Sequence, residues 1–399
     1  ELKPFEIYDR NYGKDDPNYM FPDEYKPFIV GTLPHSEIDK AYKGYNYAIN
    51  LNSIKQSQTM FARRVYELLS SNTITISNFS RGVRLLFGDL VFTSDSGQEL
   101  IKKLKQISSD ETVLKKFRLL ALRKVLSEHT YTNRLAYIVS KITNTAIENT
   151  LPNIAVVVYC KTKKQLDDIE KQYKSQSYAQ RILYVVAPKK IISRQFSKST
   201  IVFIDEQKAK KETFKEIVQE DWIAVFSSRD YYGENYITDL ALATLYSDAD
   251  VIGKSSYFAY GKNSVNYISA NMPYTKCSTL MIRMSLAKKE VLKDEKILDT
   301  LKQSNDYKFD NLEMLSIDEF NYCFNGIDHQ ETVSQVVDDL GGIDKGIGLN
   351  ELLEKAENIE PLQELEDKAP MLNTETLSKI FKTTKNKSVE FQLDGTVFN

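Results

Sequence analysis

The chain has 399 residues with 53 Lys+Arg against 55 Asp+Glu, a formal net charge of −2 that argues against a general nucleic-acid binder. At 42% hydrophobic and 27% charged residues it reads as a folding chain, long enough for roughly two or three domains. Three scattered cysteines without a C-x-x-C, three histidines without ligand spacing and no apolar run of ~18–20 residues exclude a disulfide framework, a zinc cluster and a membrane span.

Short apolar runs alternate with helical periodicity from the start. The pattern predicts strands at Phe28–Val30, Tyr47–Asn50 and Ile74–Ser77, with helices at Ser36–Lys43 and Thr59–Ser70 between them. Helices then follow over Gly97–Ile107, Glu111–Ser127 and Thr132–Glu148, and the break at Asn149–Asn153 marks a domain boundary. A second series takes the same form. It has strands at Ile154–Tyr159, Arg181–Val186, Thr200–Ile204 and Trp222–Phe226, and helices at Lys163–Gln176 and Asn235–Tyr246. Such alternation implies mostly parallel sheets covered on both faces, with ligands beyond the carboxyl ends of the strands.

Charge then changes. Residues 331–370 hold 11 acidic and 3 basic side chains, with Gly341, Gly342, Gly346 and Gly348 among them. They read as a flexible acidic turn leading into a short solvated helix near Glu351–Glu357. Opening at Glu1 in strand-like sequence and stopping inside Ser388–Leu393, the chain reads as a fragment of a longer protein. The division is therefore 1–150, 151–330 and an acidic linker with the start of a further segment at 331–399.

The first chemical constellation is the segment Thr59–Leu69 and the loop 50–58 before it. A helix start there offers unpaired N–H groups and a positive dipole end, suited to a diphosphate. Glu67 is placed to accept bonds from a ribose diol, and Arg63 or Arg64 to neutralise phosphate charge. On spacing alone, Arg63 and Glu67 equally form a surface i,i+4 pair.

The runs Ile7–Gly13, Leu51-Asn52-Ser53, Gln58–Leu69, Ile76-Ser77-Asn78 and Glu128–Arg134 together resemble the CgeB/YkvP-type glycosyltransferases. The resemblance covers roughly residues 1–148 and implies the carboxyl-terminal Rossmann half of a GT-B fold. It further implies that Glu67 holds the donor ribose and that Met60–Arg64 lies at the diphosphate. Ser57, Thr59, Met60, Phe61, Arg63, Arg64, His129 and Arg10 are then the remaining donor-binding candidates. His129 is divided between touching the donor and bracing a helix start, and Asp9-Arg10 between a strand-end ion pair and a cleft contact; His35 falls where such folds place a loop near the base. Two departures stand out. Ser71-Asn72-Thr73 replaces the small-glycine turn, and Thr59 stands where retaining enzymes often carry an acid. The resemblance implies no cofactor in this site.

Residues 154–325 resemble, more loosely, family-2 glycosyltransferase domains of the GT-A fold. The likeness rests on Ile154–Tyr159, Gln176-Ser177-Tyr178, Asp230–Leu240, Ala249–Phe258 and Ser316–Tyr322. Such domains hold a divalent metal with a D-x-D after the strand here ending at Phe226, and this chain reads Ser227-Ser228-Arg229-Asp230 instead. One carboxylate beside an arginine is a poor site for a hard cation. Either Arg229 replaces the metal's charge or the domain has lost catalysis. Asp230 and Asp239 are the catalytic candidates, Asp239 only by its position on the helix after the turn, where capping or solvating that helix is the competing role.

Ile201–Glu206 looks like a Walker B strand, yet Gly253-Lys254-Ser255 lacks the earlier glycine of a phosphate loop, so an ATPase is excluded. The fold expected is α/β, with two consecutive Rossmann-like domains, a GT-B carboxyl-terminal half and then a degenerate GT-A-like domain. The function expected is transfer of a hexose from a nucleotide sugar to a cell-surface polymer, polysaccharide, teichoic-acid-like or protein acceptor. The expected place is the cytoplasm, including the inner face of the membrane. The competing reading is a non-catalytic binding or scaffolding protein built from worn transferase domains.

Overall fold

In the computed structural model, residues 5–14, 16–145, 151–192, 200–349, 351 and 354 are described. Residues up to Ile347 make one compact unit and Gly348–Asn399 the other. The short helix expected near Glu351–Glu357 and the strand expected at 388–393 lie largely or wholly outside the described residues.

The first unit is α/β and contains two main sheets. The first is a three-stranded parallel sheet of Tyr47–Asn50, Ile74–Ser77 and Phe92–Thr93, adjacent in chain order. Ile7–Tyr8 and Ile29–Gly31 pair separately, also in parallel. The helix Arg64–Ser70 buries Val65, Leu68 and Leu69 beneath this sheet, which is the i, i+3, i+4 stripe the sequence shows. It starts five residues later than its periodicity predicts. The Ser57 hydroxyl accepts from the amides of Thr59 and Met60, and the Asn52 carboxamide oxygen accepts from Ala62, so side chains take the amides a longer helix would have used.

Two further elements escaped the apolar pattern: the helix Arg81–Phe87, capped by Ser80, and the two-residue strand Phe92–Thr93. The long helix Glu111–Glu128 begins with Asp110 accepting from Thr112 and Val113. Tyr131–Thr143 follows with a reciprocal Thr130/Asn133 cap and ends at Asn144, which takes the left-handed conformation common at helix ends.

The second sheet has eight strands. Its order runs Thr275–Lys276, Met314–Ser316, Val251–Gly253, Ser285–Lys288, Trp222–Phe226, Ile154–Tyr159, Arg181–Ala187 and Ile201–Asp205. The last four are mutually parallel, as the strand–helix alternation predicts. Ser285–Lys288 runs antiparallel to both its neighbours, so the sheet is mixed and not mostly parallel throughout. Alternate residues of Ile154–Tyr159 feed two apolar cores: Ile154, Val156 and Val158 on one face, Ala155 and Val157 on the other. Burial on both faces is why this strand is uninterrupted apolar sequence. A smaller four-stranded sheet of Tyr231–Tyr232, Tyr322–Phe324, Tyr257–Gly261 and Ser264–Ile268 flanks it.

The first part of the acidic stretch is not a loose connection. Gln330–Val337 is a helix with Val333 and Val337 buried. Beyond it, Asp339 receives both terminal nitrogens of Arg123, from the long helix under the first sheet. Arg123 also grips Asp239 through Nε at 2.8 Å and Nη2 at 3.0 Å. One buried guanidinium between two carboxylates thus ties the first sheet's helices to the second sheet. This geometry suits arginine's fixed fork of donors.

Candidate functional site

The carboxyl ends of the strands Tyr47–Asn50 and Ile74–Ser77 converge on a network of small amides. The Asn52 side chain donates to Ser77 Oγ at 3.0 Å, the Asn78 side chain bonds both backbone groups of Asn52, and Asn50 also reaches Ser77 Oγ. Asn52 is buried, and its carboxamide oxygen holds the Ala62 amide at 2.8 Å. The loop 51–63 is thereby pinned over the strand ends, the place where parallel sheets accept ligands.

Glu67 stands at the edge of this loop with its side chain 33% exposed. Its Oε1 accepts from Arg63 Nε at 2.7 Å and its Oε2 from the Tyr42 hydroxyl at 3.2 Å. Tyr42 lies on the helix Ile38–Lys43, and burial together with the Glu67 charge raises its phenol above the ordinary value. The sequence reading missed this tyrosine because no spacing rule connects positions 42 and 67. Arg63 and Arg64 are both exposed where the helix begins. The arrangement offers a carboxylate with both oxygens already oriented, next to two cations. A vicinal diol can bond the carboxylate by displacing the exposed arginine.

The remaining candidates fall into different roles. Ser57 shapes the loop through the two amides it accepts, and Thr59 and Met60 are exposed on that loop. Phe61 stacks on Tyr66 with centroids 5.4 Å apart and meets the edge of Phe87 at 6.1 Å. Arg10 lies exposed in the turn after Ile7–Tyr8. His129 is buried at the end of the long helix, packed on Tyr66 and Phe87 and bonded through Nδ1 to Arg134 at 3.2 Å. Burial and then the nearby Arg134 and Lys124 charges push its pKa down to about 3, so the ring is neutral at physiological pH.

The second sheet treats its carboxylates differently. Asp230 is fully buried, and four donors converge on it: Nε of Arg283 at 2.6 Å, Nη2 of Arg283, the Tyr322 hydroxyl at 2.7 Å and the Asn325 amide at 2.7 Å. The cation facing it is Arg283, not the neighbouring Arg229, which lies exposed. With both oxygens filled, Asp230 has no lone pair to offer a cation or a substrate proton. Asp239 neither caps nor solvates its helix; it is the buried partner of Arg123, and burial raises its pKa to about 6. The cavity beside it, bounded also by Asp318, Tyr246 and Tyr274, measures about 10 Å³, room for one water at most. Asp230 and Asp239 are thus each engaged in a buried ion pair, with Arg283 and with Arg123. Lys254 of the Gly-Lys-Ser run is likewise buried, bonded to Asp318 at 2.9 Å. Among the described residues, no group of three or more His, Cys, Asp or Glu is arranged to hold a metal, and no helix is long and apolar enough to cross a membrane.

Comparison with known proteins gives one family and several remote structural likenesses. Residues 5–140 match the family described as glycosyl transferase-like. No curated protein matches the sequence. Among solved structures, TarS residues 1–349 from S. aureus is 10% identical over 46% of this chain and 63% of that one, with a TM-score of 0.30. The same protein in complex with UDP-GlcNAc gives 11% identity over 43% and 58%, with a TM-score of 0.31. The mannosyltransferase PcManGT from Pyrobaculum calidifontis, in complex with GDP-Man and Mn²⁺, gives 8% over 51% and 68%, with a TM-score of 0.28. The match thus spans less than two thirds of the length of the TarS structures. The pinned loop and Glu67 lie within the residues 5–140 that match this family model.

Proposed function

We propose that the site around Glu67 binds the nucleoside diphosphate of a sugar donor and that the protein transfers the sugar, a hexose, to a polysaccharide, teichoic-acid-like, cell-surface or protein acceptor. The observation that carries this reading is Glu67 itself. It is an accessible carboxylate on the helix that follows the pinned loop, within the segment that matches the glycosyl transferase-like family, ordered by Tyr42 and Arg63 and flanked by Arg64. Its oxygens accept the ribose hydroxyls, while the two arginines offset the charge of the departing diphosphate. The working place is the cytoplasm, including the inner face of the membrane. Residues 1–150 are the donor-binding domain of CgeB type and 151–330 a degenerate GT-A-like domain.

A specific observation favours a second reading for the other sheet. The saturation of Asp230 by Arg283, Tyr322 and Asn325 fits a domain that has given up metal-assisted transfer and serves in binding or scaffolding. Titration of UDP, GDP and CDP nucleotides with and without Mn²⁺ separates the readings. Metal-independent binding that Glu67→Ala abolishes is the expected result; no binding of any nucleotide leaves the scaffold.

A further inference from the structure

The helix Arg81–Phe87 is packed at both ends against segments that matter to the site. At its start, the Arg81 amide donates to Lys55 O at 2.8 Å, and a Cβ on Gly82 would meet Gln58 O at 2.8 Å and the Phe61 ring at 2.9 Å. At its other end, Phe87 packs edge-on to Tyr66 and His129, at centroid distances of 5.3 and 5.4 Å. The helix therefore bears on the loop 51–63 through Lys55, Gln58 and Phe61.

That second end is also gripped from the opposite side. After Asp339 is fixed by Arg123, Leu340 packs with Ile74, Phe92 and Phe117. Asp344 O then accepts from the Asp89 amide at 2.7 Å, and its carboxylate pairs with Arg84 at 3.1 Å. The Ile347 amide donates to Leu85 O at 3.0 Å, and Ile347 O receives Lys124 Nζ at 2.7 Å. The approach is close enough to require glycine on both sides. Gly88 (φ +53°) and Gly346 (φ +70°) are left-handed, and a Cβ on either would overlap Asp344 or the Leu86 carbonyl respectively.

We propose that the strap Asp338–Ile347 positions the nucleotide-accepting loop 51–63 by holding the helix Arg81–Phe87 against it, and so links binding at Glu67 to the second sheet. The ligand named here rests on the function proposed above; the mechanical part does not. Strap, helix and loop form one continuous packed chain of contacts, as energetic coupling over such a distance needs. Gly346, Asp344 and Arg84 are positioning residues.

The test uses the full chain with Gly346→Ala and, in case that variant does not fold, Asp344→Ala. Amide hydrogen exchange and nucleotide affinity are read together, well below the unfolding temperature. Expected is faster exchange, about 10-fold, in peptides covering Thr59–Ala62, with the strands Ile154–Tyr159 and Trp222–Phe226 still protected, and UDP or GDP affinity lowered about 3- to 10-fold. A merely structural strap would loosen 81–90 and 338–347 alone, leaving loop exchange and affinity at wild-type values; that result overturns the proposal. If the wild-type chain binds no nucleotide, the sugar-nucleotide reading fails, and exchange in the loop still decides whether the strap controls it.

Discussion

Glu67 and Asp230 are both acids that a transferase reading singles out, and the protein treats them in opposite ways. Glu67 sits on the helix Arg64–Ser70, one-third exposed, held by an exposed arginine and a half-buried tyrosine. Asp230 is at 0% exposure with donors of the protein on both oxygens. Each follows a strand of its sheet in the chain, Glu67 after Tyr47–Asn50 and Asp230 after Trp222–Phe226, so chain order does not separate them. What separates them is the number of lone pairs the fold has already filled: a carboxylate with displaceable donors can exchange them for a ligand, and one saturated by buried donors cannot.

The largest expected effect comes from breaking the saturated side. Arg283→Ala leaves Asp230 buried and without its cation, which costs about 3–5 kcal/mol. Urea unfolding measures it. The comparison breaks if this variant is as stable as wild type and acquires Mn²⁺ affinity, because Asp230 would then be a latent metal ligand. Replacing Asp230 by leucine as well does not restore stability, since the Tyr322 hydroxyl and Asn325 amide would lose their acceptor. Arg123→Met comes next, about 3 kcal/mol, near the lower end of the same range because Asp339 can regain water when its partner goes. It should also speed hydrogen exchange in both the long helix and the strap.

The same contrast explains what the sequence could disclose. The strands Ile154–Tyr159 and Trp222–Phe226 and the helix Glu111–Glu128 were legible because burial on both faces or strong capping writes itself into local pattern. Glu67 was singled out through its motif. The partners that decide each acid's behaviour were not: Tyr42 is 25 residues from Glu67, Arg283 is 53 from Asp230, and Arg123 is 116 from Asp239. Ion pairs formed by tertiary packing leave no periodic trace. The acidic stretch misled for a related reason. Glycines at 341, 342 and 346 suggest a flexible turn, yet Gly346 is there so that the strap can lie against Leu86 and Phe87.

A smaller, pH-dependent effect marks the interior beside the site. The His129 ring is held near pKa 3 in the folded state against about 6.5 in the unfolded chain. Below about pH 6.5 the unfolded chain binds a proton that the folded one refuses, so this residue's contribution is intact above that pH. It is lost as the pH falls towards 3, at a slope of up to about 1.4 kcal/mol per pH unit. Asp239, raised to about 6, has the opposite sign between its unfolded value near 3.9 and about 6, holding a proton when folded. The two slopes oppose each other there, and the difference between wild type and His129→Gln isolates the histidine. Direct NMR titration should find the His129 imidazole neutral from pH 8 down to about pH 4. A ring that protonates near pH 6.5 would mean that this interior is open to water and that His129 is free to meet a ligand.

The smallest effect on stability is expected where the effect on binding is greatest. Glu67→Gln keeps an oxygen to accept from Tyr42 and gives up an ion pair with an exposed arginine, so the unfolding midpoint should not move. The amide oxygen accepts one hydroxyl, but its NH₂ group meets the second as a donor and the charge is gone. Charge-assisted bonds to a diol are replaced by a neutral bond and a mismatch, and nucleotide affinity should fall about 10-fold or more. Arg63→Ala sharpens this further, because it removes the donor that a ribose must displace while also removing a cation from the phosphates. Nucleoside binding should hold or improve and diphosphate binding weaken. A Glu67→Gln protein that unfolds early yet binds as before would place Glu67 beside Asp230 as a structural acid, and the distinction between the two sheets would vanish.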